Sequence, residues 1–201
     1  MGYMFLDIFT KVFVLLSPFF SVSMFLTLSR DMAPGARRRC ALRTSVAILA
    51  ISFMVYFFGN LIFKVLGITV PAFQVGAGTL LFLNAIGMVN GKRSEMAQEP
   101  DEDFAIVPLA IPLIVGPGTI GTLLVLGMEI TTHAEKAVAA GAIFLAVAVI
   151  SLFLFMADPI GRRLGHKGLR MMMKLTGLVL TAMAAQIILT GIRAFLARPA
   201  A

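Results

Sequence analysis

The sequence predicts an all-α, polytopic membrane protein of about six transmembrane helices, arranged as two inverted three-helix repeats with helices 1 and 4 broken at Pro/Gly. Three observations carry this expectation. Apolar residues make up 59% of the 201-residue chain and charged residues 13%, with a mean hydropathy of +0.96; a soluble domain carries about 25% charged residues. Six windows contain no Asp, Glu, Lys or Arg: 12–29, 44–63, 65–91, 104–128, 137–157 and 175–192. About 20 apolar residues suffice to cross the hydrocarbon core. The most polar connection, GKRSEMAQEPDED at 91–103, leaves three spans on either side. With an odd number of spans per half, the second half enters the membrane from the opposite side, so a repeat between halves is inverted. Residues 1–201 then form a single integral membrane domain: repeat one about 1–90, a polar inner loop 91–103, and repeat two about 104–201.

Span one carries SPFFSVSMFL at 17–26, interrupted by Ser17-Pro18. It has no basic segment before its apolar run and no small-residue cleavage site after it, so it is expected to be retained rather than removed as a signal peptide. Span two, 45–63, is smooth and contains no proline, which suits a scaffold. The Met, Phe and Tyr residues crowding 53–63 suit lipid-facing or packing positions. GITVP at 67–71 predicts a tight outer turn, placing the third helix nearer 72–90. Span four contains PLAIPLIVGPGTIGT at 108–122, with three prolines and three glycines in one segment. Span five, 138–155, is smooth and alanine-rich. Span six carries Gly177 and, nine residues later, Gln186; span three carries Gly76 and, eight later, Asn84. Spans one and four share a proline after a small residue (Pro18, Pro117) and a hydroxyl five positions on (Ser23, Thr122), the sequence trace of the expected repeat.

Charge distribution sets the orientation. The connections 29–43, 91–103 and 158–174 hold Arg30, Arg37, Arg38, Arg39 and Arg43, then Lys92 and Arg93, then Arg162, Arg163, Lys167, Arg170 and Lys174. These are twelve of the 17 basic residues. By the positive-inside rule those loops are cytoplasmic and both termini lie outside. The net charge of +7 thus records topology, and no nucleic-acid partner is expected. Cys40, the one cysteine, reads as an incidental reduced thiol in an arginine-rich loop. His133 and His166 read as loop residues on opposite sides, unable to share a metal. No GxSxG, HExxH or Walker sequence is present, so no enzyme activity and no cofactor are expected.

The broken spans carry the chemistry. Proline removes an amide donor and collides with the carbonyl four residues earlier, and it pushes the preceding residue from α geometry. Around Gly116-Pro117-Gly118 this leaves carbonyls free near Leu113 to Val115 and amides free near Gly118 to Gly121. Helix N-termini favour anions and C-termini cations, so a zwitterion fits between two half-helices. The candidate solute-binding residues are Ser17, Pro18, Ser21, Gly116, Pro117, Gly118, Thr119, Thr122, Asn84 and Gln186, with Pro108 and Pro112 as structural breaks. Asn84 and Gln186 also suit interhelical hydrogen bonds. Asp7 and Lys11 are spaced for a helical ion pair. Asp158 and the acidic run Glu99 to Asp103 flank spans without an assigned ligand.

IVPLAIPLIVGPGTI (106–120) and MKLTGLVLTAMAAQIILTGI (173–192) resemble the MarC family of bacterial inner-membrane proteins, also classed as neutral amino-acid transporters. Pro108, Pro112, Gly116, Pro117, Gly118 and Thr119 match its span-four motif, and Gln186 and Gly191 its last span. Span one departs, with Ser17-Pro18-Phe19-Phe20 where the family pattern has Asn-Pro or Asp-Pro-x-Gly. Gly87 likewise stands where that pattern often has a charged residue. The resemblance implies a multi-pass protein of the bacterial inner membrane that moves small neutral amino acids such as glycine or alanine. A coupling ion, proton or sodium, and a homo-oligomeric state are left open. The alternatives are a non-transporting membrane subunit that binds a partner through its basic inner loops, and a channel or exporter for other small solutes.

Overall fold

The computed structural model describes residues 1–30, 32–90 and 105–197, and these are helical throughout apart from short connections. Among the described residues the helices are α1 (Gly2–Leu15), α2 (Pro18–Leu28), α3 (Pro34–Leu66), α4 (Val70–Asn90), α5 (Ala105–Ile114), α6 (Pro117–Glu129), α7 (His133–Phe155) and α8 (Ala157–Leu196). Among the described residues, five segments are long and apolar enough to cross a membrane: Gly2–Leu28, Pro34–Gly59, Val70–Asn90, His133–Phe155 and Lys167–Leu196. The sixth sequence window, 104–128, is divided into α5 and α6, each shorter than a span. The segment 91–103, expected to be an inner loop, with Lys92, Arg93 and the acidic run Glu99 to Asp103, lies outside the described residues, as does Arg198.

Several expectations change in detail. The basic connections 29–43 and 158–174 are largely helical: α3 begins at Pro34 and α8 at Ala157. Proline is favoured in the first turn, where its missing amide would have no partner, so Pro34 starts α3 early and carries Arg37, Arg38, Arg39 and Arg43 on its first turns. Cys40 therefore sits in a helix, buried, and not in a loop. His133 opens α7 rather than lying in a loop. Within α8, Gly165 at φ 60°, ψ 175° breaks the helix between a short first segment and the long span. At the opposite end Gly67 (φ 65°) closes α3, with Ile68 N donating to Phe63 O, and α4 starts at Val70. The turn predicted at 67–71 is therefore present, though shorter than expected. Asp7 and Lys11 form their predicted pair at 2.7 Å.

The core is built from α1, α2, α5, α6 and the inner faces of α3, α4, α7 and α8. α4 and α8 lie antiparallel, and close packing at glycine sets their register. A Cβ on Gly191 would lie 2.8 Å from Pro71 O, one on Gly78 2.7 Å from the Ile188 side chain, and one on Gly177 3.0 Å from Ala85 O. Small residues let helices approach where lipid supplies no hydrophobic drive.

The neighbour pattern follows a rule. α1 packs on α7 as α5 packs on α3; α2 packs on α8 as α6 packs on α4; α1 touches α6 as α5 touches α2. α3 packs on α7 and α4 on α8. Exchanging the first three spans with the last three maps these contacts onto one another.

The basic end is held by Arg37. Its guanidinium pairs with Asp158, at the start of α8, and donates to Ser29 O (2.8 Å) and Arg30 O (3.2 Å) beyond the end of α2. One planar fork thus joins three helix ends. An open groove of about 370 Å³ adjoins it, lined by Phe25, Arg37, Leu154 and Asp158 among others.

Candidate functional site

Between α1 and α2, Ser17 adopts φ 50°, ψ 71° and is the one non-glycine residue with positive φ among the described residues. Left-handed geometry costs an L-residue about 1–2 kcal/mol. The chain gains a sharp restart there, with Pro18 in the first turn of α2. The carbonyls that end α1 are satisfied by side chains. Ser17 Oγ lies 3.3 Å from both Val14 O and Leu15 O, and Ser21 Oγ donates to Leu16 O at 2.7 Å. Ser17 and Ser21, predicted to face a solute, are thus engaged within the chain.

The second break differs. Pro108 and Pro112 do not end their helix; it widens into ten residues of π-helix, Ala105–Ile114. Moving each bond to the fifth residue back relieves the collision of a proline ring with the carbonyl four residues earlier. The last such bond is Val115 N to Ala110 O at 2.8 Å. π-Geometry is rare and concentrates at functional sites. The placement of the Pro108 and Pro112 side chains lies outside the description. Gly116 then extends (φ −82°, ψ 177°), and Pro117 opens α6.

Hydrogen bonds identify which amides are free. Ser21 N donates to Ser17 O (2.9 Å) and Ile120 N to Gly116 O (3.0 Å). Pro18 and Pro117 have no amide, so Phe19 and Phe20 in α2, and Gly118 and Thr119 in α6, have no intrahelical acceptor. The predicted range of Gly118 to Gly121 narrows to two residues. Because α1 touches α6 and α2 touches α5, the two breaks lie side by side at one depth. Protein encloses most of their residues: Ser17 is 5% exposed, Thr119 2% and Ser21 0%, whereas Gly116 and Pro117 are half-buried. Irregular backbone at membrane depth requires such shelter or a water-filled cavity.

Residues 2–196 match the profile of MarC family integral membrane proteins. The chain belongs to the MarC family. A UPF0056 membrane protein of Methanocaldococcus jannaschii is 36% identical over 193 residues, covering 92% of this chain and 94% of its own. A UPF0056 membrane protein of Aquifex aeolicus is 32% identical over 200 residues, covering 96% and 94%. The UPF0056 inner membrane protein MarC of Salmonella typhimurium is 31% identical over 196 residues, covering 89% of each chain. No solved structure matches.

In this MarC-family protein the structure separates the predicted site residues into groups. Ser17, Pro18, Ser21, Gly116, Pro117, Gly118 and Thr119 gather at the paired breaks. Thr122, one turn beyond Thr119, is half-buried. Asn84 and Gln186 are exposed on α4 and α8, away from the enclosed breaks, so neither contributes to a site there. Gly118 is packed: a Cβ would lie 2.6–2.9 Å from the Leu81 side chain. Its replacement by alanine therefore perturbs helix packing as well as any ligand. The departure at position 17 also gains an explanation. Asn and Asp tolerate left-handed geometry better than most residues, so either would suit the φ of 50° that Ser17 adopts at some cost.

Two features escaped the sequence reading. The Arg37–Asp158 pair links residues 121 apart in the chain. In span two, Ser52 and Tyr56 are buried, and their hydroxyls have no hydrogen-bond partner among the described residues. Their spacing of four within an apolar run was the available signal.

Proposed function

We propose that this protein is a secondary transporter of the bacterial inner membrane that moves small neutral amino acids, of glycine or alanine size, by alternating access. One observation carries the reading: two discontinuous helices set their breaks side by side at one depth, largely enclosed by protein, with free amides at Gly118 and Thr119. An amino-acid carboxylate suits the amide end of α6 and its ammonium suits the carbonyl end of α5. The exchange symmetry of helix contacts supports two three-span repeats of inverted orientation, an architecture in which rocking of one half against the other exposes a midplane site to each side in turn. The distribution of basic residues supports placing the Arg37 end in the cytoplasm and both termini outside. In this reading Arg37, Asp158 and the ends of α2 and α8 close the cytoplasmic side. The inner-membrane description of the Salmonella relative supports the location.

Reconstituted vesicles loaded with radiolabelled glycine or alanine test the proposal. Saturable flux above protein-free vesicles is expected. Absence of flux for every neutral amino acid refutes it, and flux that does not saturate favours a channel.

A further inference from the structure

The groove at the basic end is lined partly by charged and partly by apolar side chains. Phe25 of α2, Arg37 and Arg38 of α3, Leu154 and Phe155 of α7 and Asp158 of α8 all face its volume of about 370 Å³. Two of the three charges are already matched. Arg37 pairs with Asp158 and donates to Ser29 O and Arg30 O. Arg38 is exposed and makes no hydrogen bond or ion pair among the described residues. The lining therefore carries one uncompensated positive charge beside a set of aromatic and aliphatic side chains.

The level of the groove puts that charge at the edge of the bilayer. The charge-free windows of spans two and five stop at residues 44 and 157, and Arg38 and Asp158 lie just beyond those limits. Arg38 is about 9 Å outside the first, at 1.5 Å per residue. Leu42 and Val46 follow Arg38 at intervals of four, so they share its face of α3, and both are exposed. On α7, which packs against α3, Leu152 and Phe155 are also exposed. A free guanidinium thus stands at the head of exposed apolar surface on two neighbouring helices. A soluble anion would meet the charge alone. A phospholipid sets its phosphate at the charge and its acyl chains along the apolar faces, as lipids do in basic pockets between membrane helices. A zwitterionic headgroup brings an ammonium of its own, and the lining carboxylate that could receive it, Asp158, is held by Arg37.

We propose that this groove binds the headgroup of an anionic phospholipid, with Arg38 on the phosphate and the exposed faces of α3 and α7 against the acyl chains. The planar guanidinium offers two parallel N–H donors to two phosphate oxygens. The walls come from both halves of the chain, α2 and α3 from the first and α7 and α8 from the second. A bound lipid therefore adds a second tie between the halves beside the Arg37–Asp158 pair. The assignment is independent of the transport reading, since it requires only that the basic end meets the headgroup layer.

The test titrates the full-length protein in detergent with phosphatidylglycerol, with phosphatidylcholine, and with glycerol phosphate, which has the phosphate and no acyl chains. Melting is followed through the buried Cys40 thiol. Wild type is compared with Arg38→Ala and with Arg39→Ala, which removes an equal charge from an exposed position outside the lining. Phosphatidylglycerol is expected to raise the wild-type Tm saturably, because a ligand bound only to the folded state raises apparent stability. Phosphatidylcholine and glycerol phosphate at the same concentrations should not. Arg38→Ala should raise the half-saturating concentration of phosphatidylglycerol about 5- to 10-fold, the effect of one charge and its hydrogen bonds near a membrane surface. Arg39→Ala should change it less. Without lipid, Arg38→Ala should melt with wild type, since the side chain has no partner in the folded chain to lose. Equal stabilisation by phosphatidylglycerol and phosphatidylcholine overturns the proposal, because it marks general solvation by lipid. Equal losses in the two variants overturn it as well, because they mark diffuse surface charge. Stabilisation by glycerol phosphate equal to that by phosphatidylglycerol overturns the lipid assignment and gives the groove to a soluble phosphate ester.

Discussion

Replacing Ser17 separates backbone strain from side-chain hydrogen bonding at the first break. Its φ of 50° costs a non-glycine residue about 1–2 kcal/mol, and a β-branched residue suffers more. The Ser17 hydroxyl offsets part of that cost by donating toward Val14 O and Leu15 O, both at 3.3 Å; at that length a net contribution of about 1 kcal/mol is reasonable. Ser17→Val loses the hydroxyl and increases the strain, for an expected destabilisation of about 2–3 kcal/mol. Ser17→Gly removes the strain, loses the hydroxyl, and gives up roughly 0.5–1 kcal/mol through the entropy of the unfolded chain. These contributions nearly cancel. Ser17→Asn keeps a donor on a residue that tolerates the geometry and should stay within about 0.5 kcal/mol of wild type. For a chain of this length 1 kcal/mol corresponds to about 2–4 °C in Tm, so the valine variant should melt roughly 5–10 °C lower. The chain has no tryptophan, but its single cysteine is buried, so a thiol-reactive dye reports unfolding of the detergent-purified protein. A valine variant that melts with the asparagine variant would refute the left-handed assignment.

Other substitutions address packing and the basic end. Gly127→Ala places a methyl group against the Tyr56 carbonyl, a backbone atom that cannot swing aside. A loss of about 1–3 kcal/mol is expected, whereas Gly76→Ala, with nothing within 4 Å, should be neutral or slightly stabilising; equal melting temperatures would contradict the α3–α6 contact. Arg37→Ala should lower Tm more than Asp158→Asn, because Arg37 also binds the Ser29 and Arg30 carbonyls. The reverse order in a thermal scan would show that the ion pair dominates. Removing the exposed Asp7–Lys11 pair should change stability by no more than about 0.5 kcal/mol, and a larger shift in the same assay would point to a role beyond the surface.

How much of this was legible in the sequence depended on whether the signal was local. The windows without charge marked the apolar spans because burial in lipid acts on each segment alone. Ser17-Pro18 and Gly116-Pro117 marked both breaks because proline acts on its immediate neighbours. Pro108 and Pro112 were misread as breakers, since a helix can widen instead of ending, and the sequence does not distinguish the two responses. Asn84 and Gln186 were assigned to the interior on polarity, yet which side of α4 and α8 faces inward is fixed by where Gly78, Gly177 and Gly191 permit close approach. Ser52 was overlooked because a serine in an apolar helix ordinarily bonds its own backbone. Its unpartnered state becomes evident only once α5 and α6 lie against α3.

The π-helical half of span four bears on biosynthesis. Residues 104–128 leave the ribosome after α1 to α4 have been made, and they carry unpaired backbone groups that lipid cannot solvate. The helices that cover them, α1, α2, α3 and α4, all precede them in the chain, so a sheltering surface can await the fourth span as it enters the bilayer. A circular permutant beginning near residue 104 would present the unsheltered segment first. Such a permutant should insert inefficiently even though its finished contacts would be the same.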